Sequence, residues 1–376
     1  MKKINIMYLY SSKGFGGMVR NLSLITSSLD ADSFNAVAVC LTNKGDESSG
    51  IRLEKKNSTS FYRIDETGKM DFRALSEIKE LIIRHKIDIL SCHGYKADLC
   101  GLLLSKFYKC NVKLIAMVHG WVTPGIKHQI YYFLDKLVLR YFDKIILVAE
   151  GLFDELKGFM ISPNKIVIIR NAIDKNDFEI KEDLNEWRNG LNLNKEDLLV
   201  GFIGRLSKEK SIETILFAIK EALVFLKNIK FLIVGDGPQR SRLISIAKKL
   251  GINDQVIFAG YQKEVRGIYG ILNLYVSASL KEGLPNSILE AQAAGVPCIV
   301  TDIFGNRDIV KDGVNGYLIK PGDHKTLSQK IVAVLKDKDL AGRFAIEGKR
   351  IVEHNFSLKE RIRKLEDLYR GIASLR

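Results

Sequence analysis

The feature that most constrains this chain is an alternation of short apolar runs with longer amphipathic stretches, in two series separated by a polar segment. A parallel strand buried on both faces reads as a short apolar run, and the helix that follows it reads as an amphipathic stretch. Each series therefore predicts a parallel sheet covered by helices on both faces. The predicted strands span residues 4–10, 34–41, 60–64, 87–92, 112–118, 144–148 and 166–169, then 198–204, 230–235, 256–259, 272–276, 297–301 and 316–319.

The two series predict an α/β chain with two Rossmann-like, doubly wound domains. We assign residues 1–174 to the first domain, 175–197 to a polar linker and 198–355 to the second domain. The C-terminal segment 356–376 is basic and has helical periodicity, which predicts either a surface helix or a helix that crosses back to the first domain. Because ligands of such sheets bind at the carboxyl ends of the strands, two facing domains would place a site in the cleft between them.

Composition indicates a globular protein that works in the cytoplasm. The chain has 376 residues, of which 46% are hydrophobic and 27% charged. No apolar run approaches the roughly 20 residues that a membrane helix needs, and the short N-terminal apolar run is better explained as a first strand than as a signal peptide. The five cysteines form no CxxC pair, which argues against a zinc site and is typical of a reducing compartment.

The formal net charge of +14 calls for a negatively charged partner: nucleic acid, an anionic membrane surface or a polyanionic substrate. The basic residues are spread along the chain, which argues against a disordered nucleic-acid-binding arm. The segment 127–141 is amphipathic, basic and rich in aromatic residues. It predicts either a helix that lies on an anionic membrane or an ordinary helix that packs its aromatic side chains into the core.

A glycine-rich turn, residues 11–17, follows the first predicted strand and opens a helix. Glycine allows close approach of the backbone to a ligand, and the helix N-terminus offers unpaired N–H groups that suit a phosphate. Gly16 and Gly17 are the candidate phosphate contacts. The spacing is not GxGxxG and no acidic residue ends the second strand, so the turn is weak evidence for a dinucleotide site.

In the second series, basic residues follow the first strand end and glycine turns follow the next two. Arg205 and Lys210 carry the kind of charge that a diphosphate leaving group needs, although a solvated basic turn would look the same. Residues 235–238 read Gly-Asp-Gly-Pro, a tight turn that is either structural or ligand-binding. Gly260 and Tyr261 lie where the backbone either contacts a nucleobase edge or simply turns.

The strongest local signal is a pair of glutamates, Glu282 and Glu290, at the end of a strand and on the helix that follows. Their separation of eight residues is about two helical turns. Two carboxylates placed this way can accept hydrogen bonds from two polyol groups, such as a sugar and a ribose. The helix N-terminus at Asn286 and Ser287 is a candidate phosphate contact.

These residues together resemble the retaining glycosyltransferases of family 4, which have the GT-B fold. The resemblance covers nearly the whole chain and is closest in the run EGLPNSILEAQAAGVPCIV, residues 282–300. Supporting features are the GG turn at residues 16–17, His119 after a strand, the GRLxxxK element at residues 204–210, the GDGP turn, the DGxxGYL run at residues 312–318 and the NAID run at residues 171–174. The chain departs from the family pattern at Ala149, Ala172, Ser211 and Asp308.

The resemblance implies a role for each matching residue. Glu290 would bind the ribose of the donor, Glu282 the transferred sugar, Arg205 and Lys210 the diphosphate, and His119 would lie near the reaction centre. The first domain would bind the acceptor and the second the donor. The implied catalytic set is His119, Arg205, Lys210 and Glu282, and the implied donor-binding set is Gly16, Gly17, Arg205, Lys210, Gly260, Tyr261, Glu282, Gly283, Leu284, Asn286, Ser287 and Glu290.

The resemblance also implies retention of anomeric configuration and no requirement for a metal or other cofactor. Asp30 and Asp32 have the spacing of a DxD metal clamp, but they fall at a helix end away from the other motifs. We therefore expect transfer of a hexose-type sugar from a UDP- or GDP-sugar to a hydroxyl of a glycan or lipid-linked acceptor in bacterial surface polysaccharide synthesis. The alternatives are a sugar-nucleotide epimerase of the same fold and a non-catalytic sugar-nucleotide-binding protein.

Overall fold

The computed structural model describes residues 3–11, 16–43, 59–68, 71–122, 125–178 and 183–374. Residues 12–15 of the glycine-rich turn lie outside the described residues. The chain divides into two compact units, one formed by Met1–Asn171 with Lys359–Arg376 and the other by Ala172–Leu358.

The first unit contains a seven-stranded parallel sheet with the order β3-β2-β1-β4-β5-β6-β7. Its strands are β1 Ile4–Ser11, β2 Phe34–Asn43, β3 Ser60–Glu66, β4 Ile89–His93, β5 Lys113–Val118, β6 Lys144–Leu147 and β7 Ile166–Ile168. Its helices are α1 Gly17–Ser28, α2 Phe72–Arg84, α3 Tyr95–Lys106, α4 Ile126–Leu139 and the C-terminal α13 Leu358–Ala373.

The second unit repeats this topology in a six-stranded parallel sheet with the order β10-β9-β8-β11-β12-β13. Its strands are β8 Leu198–Ile203, β9 Ile229–Val234, β10 Val256–Gly260, β11 Leu274–Ser277, β12 Cys298–Thr301 and β13 Gly316–Ile319. Its helices are α5 Leu184–Gly190, α6 Ile212–Ala222, α7 Arg240–Lys249, α8 Arg266–Ile271, α9 Asn286–Ala293, α10 Phe304–Ile309, α11 His324–Lys336 and α12 Lys338–Asn355.

Two doubly wound parallel sheets confirm the predicted fold class. The apolar runs of the sequence become strands because consecutive residues of each central strand are buried, as in Ile6 to Tyr10 of β1, which are at most 1% exposed. Among the described residues no helix is long and apolar enough to cross a membrane.

The segment predicted as a linker, residues 175–197, contains helix α5 and belongs to the second unit. The side chain of Asp183 caps α5 by accepting a hydrogen bond from the N–H of Asn185. Trp187 of α5 lies so close to Gly267 that a Cβ at residue 267 would be 2.1 Å from the indole nitrogen. This packing of α5 on α8 explains why a polar stretch folds with the second sheet.

Helix α13 belongs to the first unit from Lys359 onward. Leu365 and Tyr369 on this helix are fully buried. Arg361 is 3% exposed and donates hydrogen bonds to the side-chain oxygens of Asn21 (3.0 Å) and Asn171 (3.3 Å). The last helix therefore contributes both apolar and polar contacts to the interior of the first unit.

A buried pair of carboxyl groups joins α3 to α4 in the first unit. Asp98 and Asp135 are 1% and 5% exposed, and their side chains hydrogen-bond to each other, so the pair holds a proton. Asp135 also accepts a 2.8 Å hydrogen bond from the indole N–H of Trp121. Burial, followed by the charge of Asp135, raises the pKa of Asp98, and burial raises the pKa of Asp135 to about 6.

The pair makes the stability of the first unit depend on pH. Folding raises both pKa values above the ordinary 3.8, so the folded state retains protons that the unfolded state loses. Stability therefore falls as the pH rises above about 4 and through the raised pKa values, which is about 6 for Asp135. Asp98→Asn removes one of the two acids. Its free energy of unfolding relative to wild type should therefore rise by on the order of 2 kcal/mol between pH 4 and pH 8.

The measurement is urea unfolding followed by Trp121 fluorescence in a Trp187→Phe background, since the chain has only these two tryptophans. Asp32→Asn, at an exposed position, is the control and should show no such trend. A difference between Asp98→Asn and wild type that does not change with pH would contradict the shared-proton interpretation.

Candidate active site

In the second sheet the strand order reverses between β8 and β11: the chain adds β9 and β10 on one side of this pair, and β12 and β13 on the other. Such a switch point leaves a crevice, because the loops after the two strands diverge. The loop after β8 carries Arg205 and Lys210, and the loop after β11 carries Glu282. The topology therefore brings three of the four predicted catalytic residues to one place in this unit.

Lys210 and Glu282 form an ion pair across this switch point. The Glu282 carboxylate also accepts a 2.6 Å hydrogen bond from the hydroxyl of Ser279. A backbone hydrogen bond of 2.8 Å from Leu280 to the carbonyl of Glu209 ties the two loops together. The carboxylate is thus fixed by a cation and a hydroxyl, with its side chain 9% exposed.

Ser211 follows Lys210 and adopts a left-handed conformation, with φ +47° and ψ +42°. Glycine reaches this region without strain, which explains why glycine is usual at this position in the family that the sequence resembles. Here the Ser211 hydroxyl lies 2.9 Å from the Thr214 hydroxyl. Although serine replaces glycine here, the backbone after Lys210 adopts the left-handed conformation that glycine favours.

The glycines of the GDGP turn allow the loops after β8 and β9 to touch. A Cβ at Gly235 would lie 1.9 Å from the carbonyl oxygen of Gly204, and one at Gly237 would lie 2.5 Å from that of Leu206. Gly235 also has φ +128°, which favours glycine. The contacts give this turn a structural role in holding the loop that carries Arg205, whose own side chain is exposed.

Glu290 is 4% exposed on α9 and accepts a 2.9 Å hydrogen bond from the hydroxyl of Tyr269 on α8. The hydroxyl of Tyr275 donates to that of Ser287 at 2.8 Å, in the first turn of the same helix. Leu284 and Asn286 are buried and hold the start of α9 in the interior. The described helix thus places Ser287 and Glu290 one turn apart.

Three of these positioning side chains, Ser279, Tyr269 and Tyr275, were missed by the sequence analysis. Ser279 lies three residues before Glu282, so its proximity follows from local spacing once the strand end is known. The tyrosines lie on α8 and β11, and no spacing rule links them to α9. Their hydroxyls reach the site only because the two elements pack against it.

The remaining predicted donor contacts lie on the same edge of the sheet. Gly260 ends β10 with φ +68°, and its carbonyl accepts a 2.7 Å hydrogen bond from the N–H of Gly235. Tyr261 is 53% exposed. Gly283 packs against Gly305, where an added Cβ would lie 1.8 Å from the Gly283 carbonyl oxygen. The backbone after Glu282 is therefore confined by α10.

In the first unit, Gly16 and Gly17 open α1 after β1, next to the switch point between β1 and β4. Gly16 is the N-cap and no side chain caps the helix. The first turn of α1 contains no acidic residue. The phosphate contact assigned to Gly16 and Gly17 stays a prediction.

His119 follows β5 on the carboxyl edge of the first sheet and is half-buried. Its Nε2 lies 3.1 Å from Nδ1 of His93, which ends the neighbouring strand β4. Burial, and secondarily the charge of Arg361, lowers the pKa of His119 to about 3, so the imidazole is neutral at physiological pH. The sequence analysis missed His93.

Two family models match the chain. The model described as Glycosyltransferase Family 4 matches residues 15–177. The model described as Glycosyl transferases group 1 matches residues 183–351. Together the two ranges span most of the chain and fall on the first and the second sheet respectively.

Curated proteins resemble the chain over most of its length. It is 25% identical over 316 residues to the N-acetyl-alpha-D-glucosaminyl L-malate synthase of Bacillus anthracis, covering 82% of this chain and 81% of that protein. It is 27% identical over 312 residues to the UDP-Gal:alpha-D-GlcNAc-diphosphoundecaprenol alpha-1,3-galactosyltransferase of Escherichia coli, covering 80% of this chain and 79% of that protein.

Solved structures share the fold. HepE of Anabaena in complex with UDP-glucose superimposes with a TM-score of 0.86 at 20% identity, covering 98% of this chain and 100% of that one. WaaG, a glycosyltransferase involved in lipopolysaccharide biosynthesis, superimposes with a TM-score of 0.77 at 16% identity, covering 98% and 100%. At these identities the likeness concerns the fold.

The contact between Gly305 and Gly283 predicts a cost for any side chain at residue 305. Gly305→Ala would force the backbone at Gly283 and Glu282 to move, since an added Cβ would lie 1.8 Å from the Gly283 carbonyl oxygen and 3.3 Å from that of Glu282. The variant should lose about 1–3 kcal/mol of unfolding free energy, measured by urea unfolding with Trp187 fluorescence in a Trp121→Phe background.

Gly342→Ala is the matched control, because Gly342 lies in α12 with no atom within 4 Å of its added Cβ. It should stabilise the second unit by about 0.5–1 kcal/mol. Equal stabilities for the two variants would show that the close approach of residues 283 and 305 is not constrained as described.

Proposed function

Because this chain belongs to glycosyltransferase family 4, we propose that it transfers a hexose-type sugar from a UDP-sugar to a hydroxyl of a glycan or lipid-linked acceptor. The transfer would retain the anomeric configuration and would serve bacterial surface polysaccharide synthesis. The observation that carries the proposal is the ion pair of Lys210 and Glu282 at the switch point of the second sheet, with Glu290 on the helix that follows. A cation for the diphosphate and two carboxylates for hydroxyl groups are the groups that such a donor requires.

In this proposal Arg205 and Lys210 bind the diphosphate. Negative charge builds on the leaving group as the glycosidic bond breaks, and fixed cations stabilise that charge more in the transition state than in the ground state. The N-terminus of α9 at Asn286 and Ser287 adds N–H groups, whose partial positive charge also suits the diphosphate. Because these cations can do the work of a metal ion, we propose metal-independent transfer; the described residues contain no cluster of three or more metal ligands of the His, Cys, Asp and Glu type.

Glu290 would accept hydrogen bonds from the ribose of the nucleotide. The Tyr269 hydroxyl, 2.9 Å from the carboxylate, would hold it in one orientation. Glu282 would contact the transferred sugar, held in place by Lys210 and Ser279. Gly260 and Tyr261 would contact the base, and Gly283 and Leu284 would line the donor site.

Retention can be achieved by attack of the acceptor on the face that the diphosphate leaves. In our proposal a leaving phosphate oxygen takes the proton of the acceptor hydroxyl, so the protein needs no separate general base. The first unit would bind the acceptor, with Gly16 and Gly17 near the phosphate and His119 near the donor sugar. A neutral His119 suits this role, because it can donate one hydrogen bond without adding charge.

The choice of UDP and of a surface polysaccharide pathway is supported by the relatives. The Escherichia coli relative is named for a UDP-Gal donor and a diphosphoundecaprenol-linked acceptor, and a Staphylococcus aureus relative is named for capsular polysaccharide biosynthesis. A polyprenol-linked acceptor lies in a membrane, so an enzyme that uses one has to work at the membrane surface.

Helix α4 supports peripheral attachment to the inner face of such a membrane. Ile126, Ile130, Phe133 and Leu134 are 79%, 55%, 56% and 50% exposed, whereas Asp135 and Leu139 on the opposite side are buried. Four exposed apolar side chains on one helix are the pattern of an interfacial helix. The net charge of +14 would add attraction to anionic lipids.

The function is tested by thermal shift and turnover across UDP- and GDP-sugars, with and without EDTA. We expect UDP-sugars to raise the Tm, with no effect of EDTA and with loss of the shift in Glu290→Ala. NMR of the product should show retained anomeric configuration. Failure of every nucleotide sugar to shift the Tm would overturn the donor site, and an isomerised sugar formed without acceptor would favour an epimerase.

The same turnover assay tests whether Arg205 and Lys210 stabilise the leaving group. Arg205→Ala and Lys210→Ala should each lower kcat on the order of 100-fold while the protein still folds. Lys208→Ala is the matched control, since Lys208 is an exposed lysine of the same turn. Near-wild-type turnover in both Arg205→Ala and Lys210→Ala would contradict the proposed role.

Membrane attachment is tested by co-sedimentation with vesicles of phosphatidylglycerol and phosphatidylethanolamine. The double variant Ile126→Ser/Ile130→Ser should lose most of the binding, because it removes apolar area from the exposed face of α4. The control Val224→Ser/Ile346→Ser changes residues that are 66% and 68% exposed in the second unit, and it should bind as wild type does. Equal binding of both double variants would exclude α4 as the contact.

A further inference from the structure

We propose that Thr301 and Asn306 are positioning residues for Glu282. They act through Ser279, and as a result one carboxylate oxygen of Glu282, Oε2, is offered to the donor sugar. The inference deepens the proposed function, since it rests on Glu282 contacting the transferred sugar. It concerns buried hydrogen bonds within the second unit, which run from helix α10 through the end of β12 to the loop after β11.

The described partners of Glu282 bind the same carboxylate oxygen. The Ser279 hydroxyl donates to Oε1 at 2.6 Å, and the Lys210 ammonium is paired with that oxygen as well. Among the residues that the structure describes, none makes a hydrogen bond or ion pair with Oε2 of Glu282. Because a carboxylate accepts hydrogen bonds on both oxygens, Oε2 retains its capacity to bind a hydroxyl of a ligand.

The backbone of Ser279 is held by the neighbouring strand. The Thr301 hydroxyl, at the end of β12, donates to the carbonyl oxygen of Ser279 at 2.5 Å. The side-chain amide of Asn306 on α10 donates to the carbonyl (2.9 Å) and to the hydroxyl (3.2 Å) of Thr301. Ser279, Thr301 and Asn306 are each 0% exposed, so these contacts are shielded from bulk water.

The direction of each of these hydrogen bonds is fixed by an acceptor that has no proton. Carbonyl oxygens and carboxylates only accept, so the Thr301 proton goes to the Ser279 carbonyl and the Ser279 proton goes to Glu282. The Thr301 hydroxyl oxygen then accepts from Asn306, whose nitrogen has to face the Thr301 carbonyl oxygen. The donor and the acceptor of every link are therefore defined.

Asn306 carries a cost that packing alone does not explain. Its Oδ1 is buried and has no hydrogen-bond partner within the described part of the chain. A buried polar atom without a partner destabilises the folded protein, and an apolar side chain at this position would have no such atom. The two hydrogen bonds that the amide nitrogen donates to Thr301 account for an asparagine here.

The anchoring of Ser279 gains importance when the donor is bound. In the proposed function the Lys210 ammonium binds the diphosphate, so its hydrogen bonds are divided between the leaving group and Glu282. The Ser279 hydroxyl has no second ligand of this kind and keeps its hold on Oε1. A displacement of the loop at Ser279 would rotate the carboxylate, so the hydrogen bonds to Thr301 and Asn306 decide where Oε2 meets the sugar.

The test compares the binding of UDP, which lacks the sugar, with the turnover of a UDP-sugar. Thr301→Val keeps the volume of the buried side chain and removes its hydroxyl, whereas Thr301→Ser keeps the hydroxyl and removes a methyl group. Thr301→Val should lower kcat/KM for the UDP-sugar about tenfold and leave the Kd of UDP within about twofold of the wild-type value. Thr301→Ser should recover most of the turnover, since it restores the donor to the Ser279 carbonyl.

A double variant decides whether Thr301 acts through Ser279. Ser279→Ala should lower kcat/KM at least as much as Thr301→Val does, and Thr301→Val/Ser279→Ala should be no worse than Ser279→Ala. Thr26→Val is the matched control and should leave kcat/KM unchanged. Thr26 is 3% exposed, and its hydroxyl also donates to a backbone carbonyl, that of Ser23 at 3.2 Å, in the first unit.

Three outcomes of these assays would overturn the positioning role. They are equal kcat/KM values for Thr301→Val and Thr301→Ser, a loss of UDP affinity that parallels the loss of turnover, and additive losses in the double variant. A general disturbance of the sheet edge would produce the second outcome, because Lys210 and Glu290 lie on the same edge. If Thr301→Val does not fold, Asn306→Ala takes its place in each comparison.

Crystal structures of the unliganded wild type and of Thr301→Val separate this inference from the proposed function. We expect the Ser279 hydroxyl to bind Oε1 of Glu282 in the wild type and the carboxylate to be rotated in the variant. An unmoved carboxylate would overturn the inference whatever the substrate is. If the wild type turns over no nucleotide sugar, the proposed function is wrong, and the two crystal structures still decide the positioning role.

Discussion

The constraint on which the rest of this structure depends is the parallel alignment of strands in both sheets. All strands of a parallel sheet end at the same edge, so the loops that follow them converge there. In the second unit this convergence brings Lys210 and Glu282 into one ion pair. The two residues follow neighbouring strands but lie 72 residues apart in sequence. The central strands of each sheet are buried on both faces.

Both units hold the side chains at this edge with buried polar groups. In the second unit, hydroxyls of Ser279 and Tyr269 fix the two glutamates. In the first, Nδ1 of His93 lies 3.1 Å from Nε2 of His119. A buried polar group is costly unless it is hydrogen-bonded, so these contacts favour the observed positions of the side chains. The glycosyltransferase thus holds carboxylate and ammonium groups at the edge of the second sheet and two imidazoles at the edge of the first.

At these edges glycine allows backbones to approach closely, because it has no Cβ. The loops after β8 and β9 touch at Gly235 and Gly204, and the loop after β11 touches α10 at Gly283 and Gly305, at distances that no Cβ would permit. Motifs that read as simple turns in the sequence are therefore contacts between backbones. They constrain the loops that carry Arg205 and Glu282.

Hydrophobic periodicity and turn residues act over short distances, so the fold class, the strands to within a few residues and the chemical type of the residues at the strand ends could be predicted from the amino-acid sequence. It did not reveal the contact of His93 with His119, the positioning roles of Ser279 and Tyr269, or that the polar segment around Trp187 packs on Gly267. Only the tertiary structure decided these, since each depends on which element lies beside which. A side chain's partner across a sheet edge is fixed by topology and packing, and no local pattern encodes it.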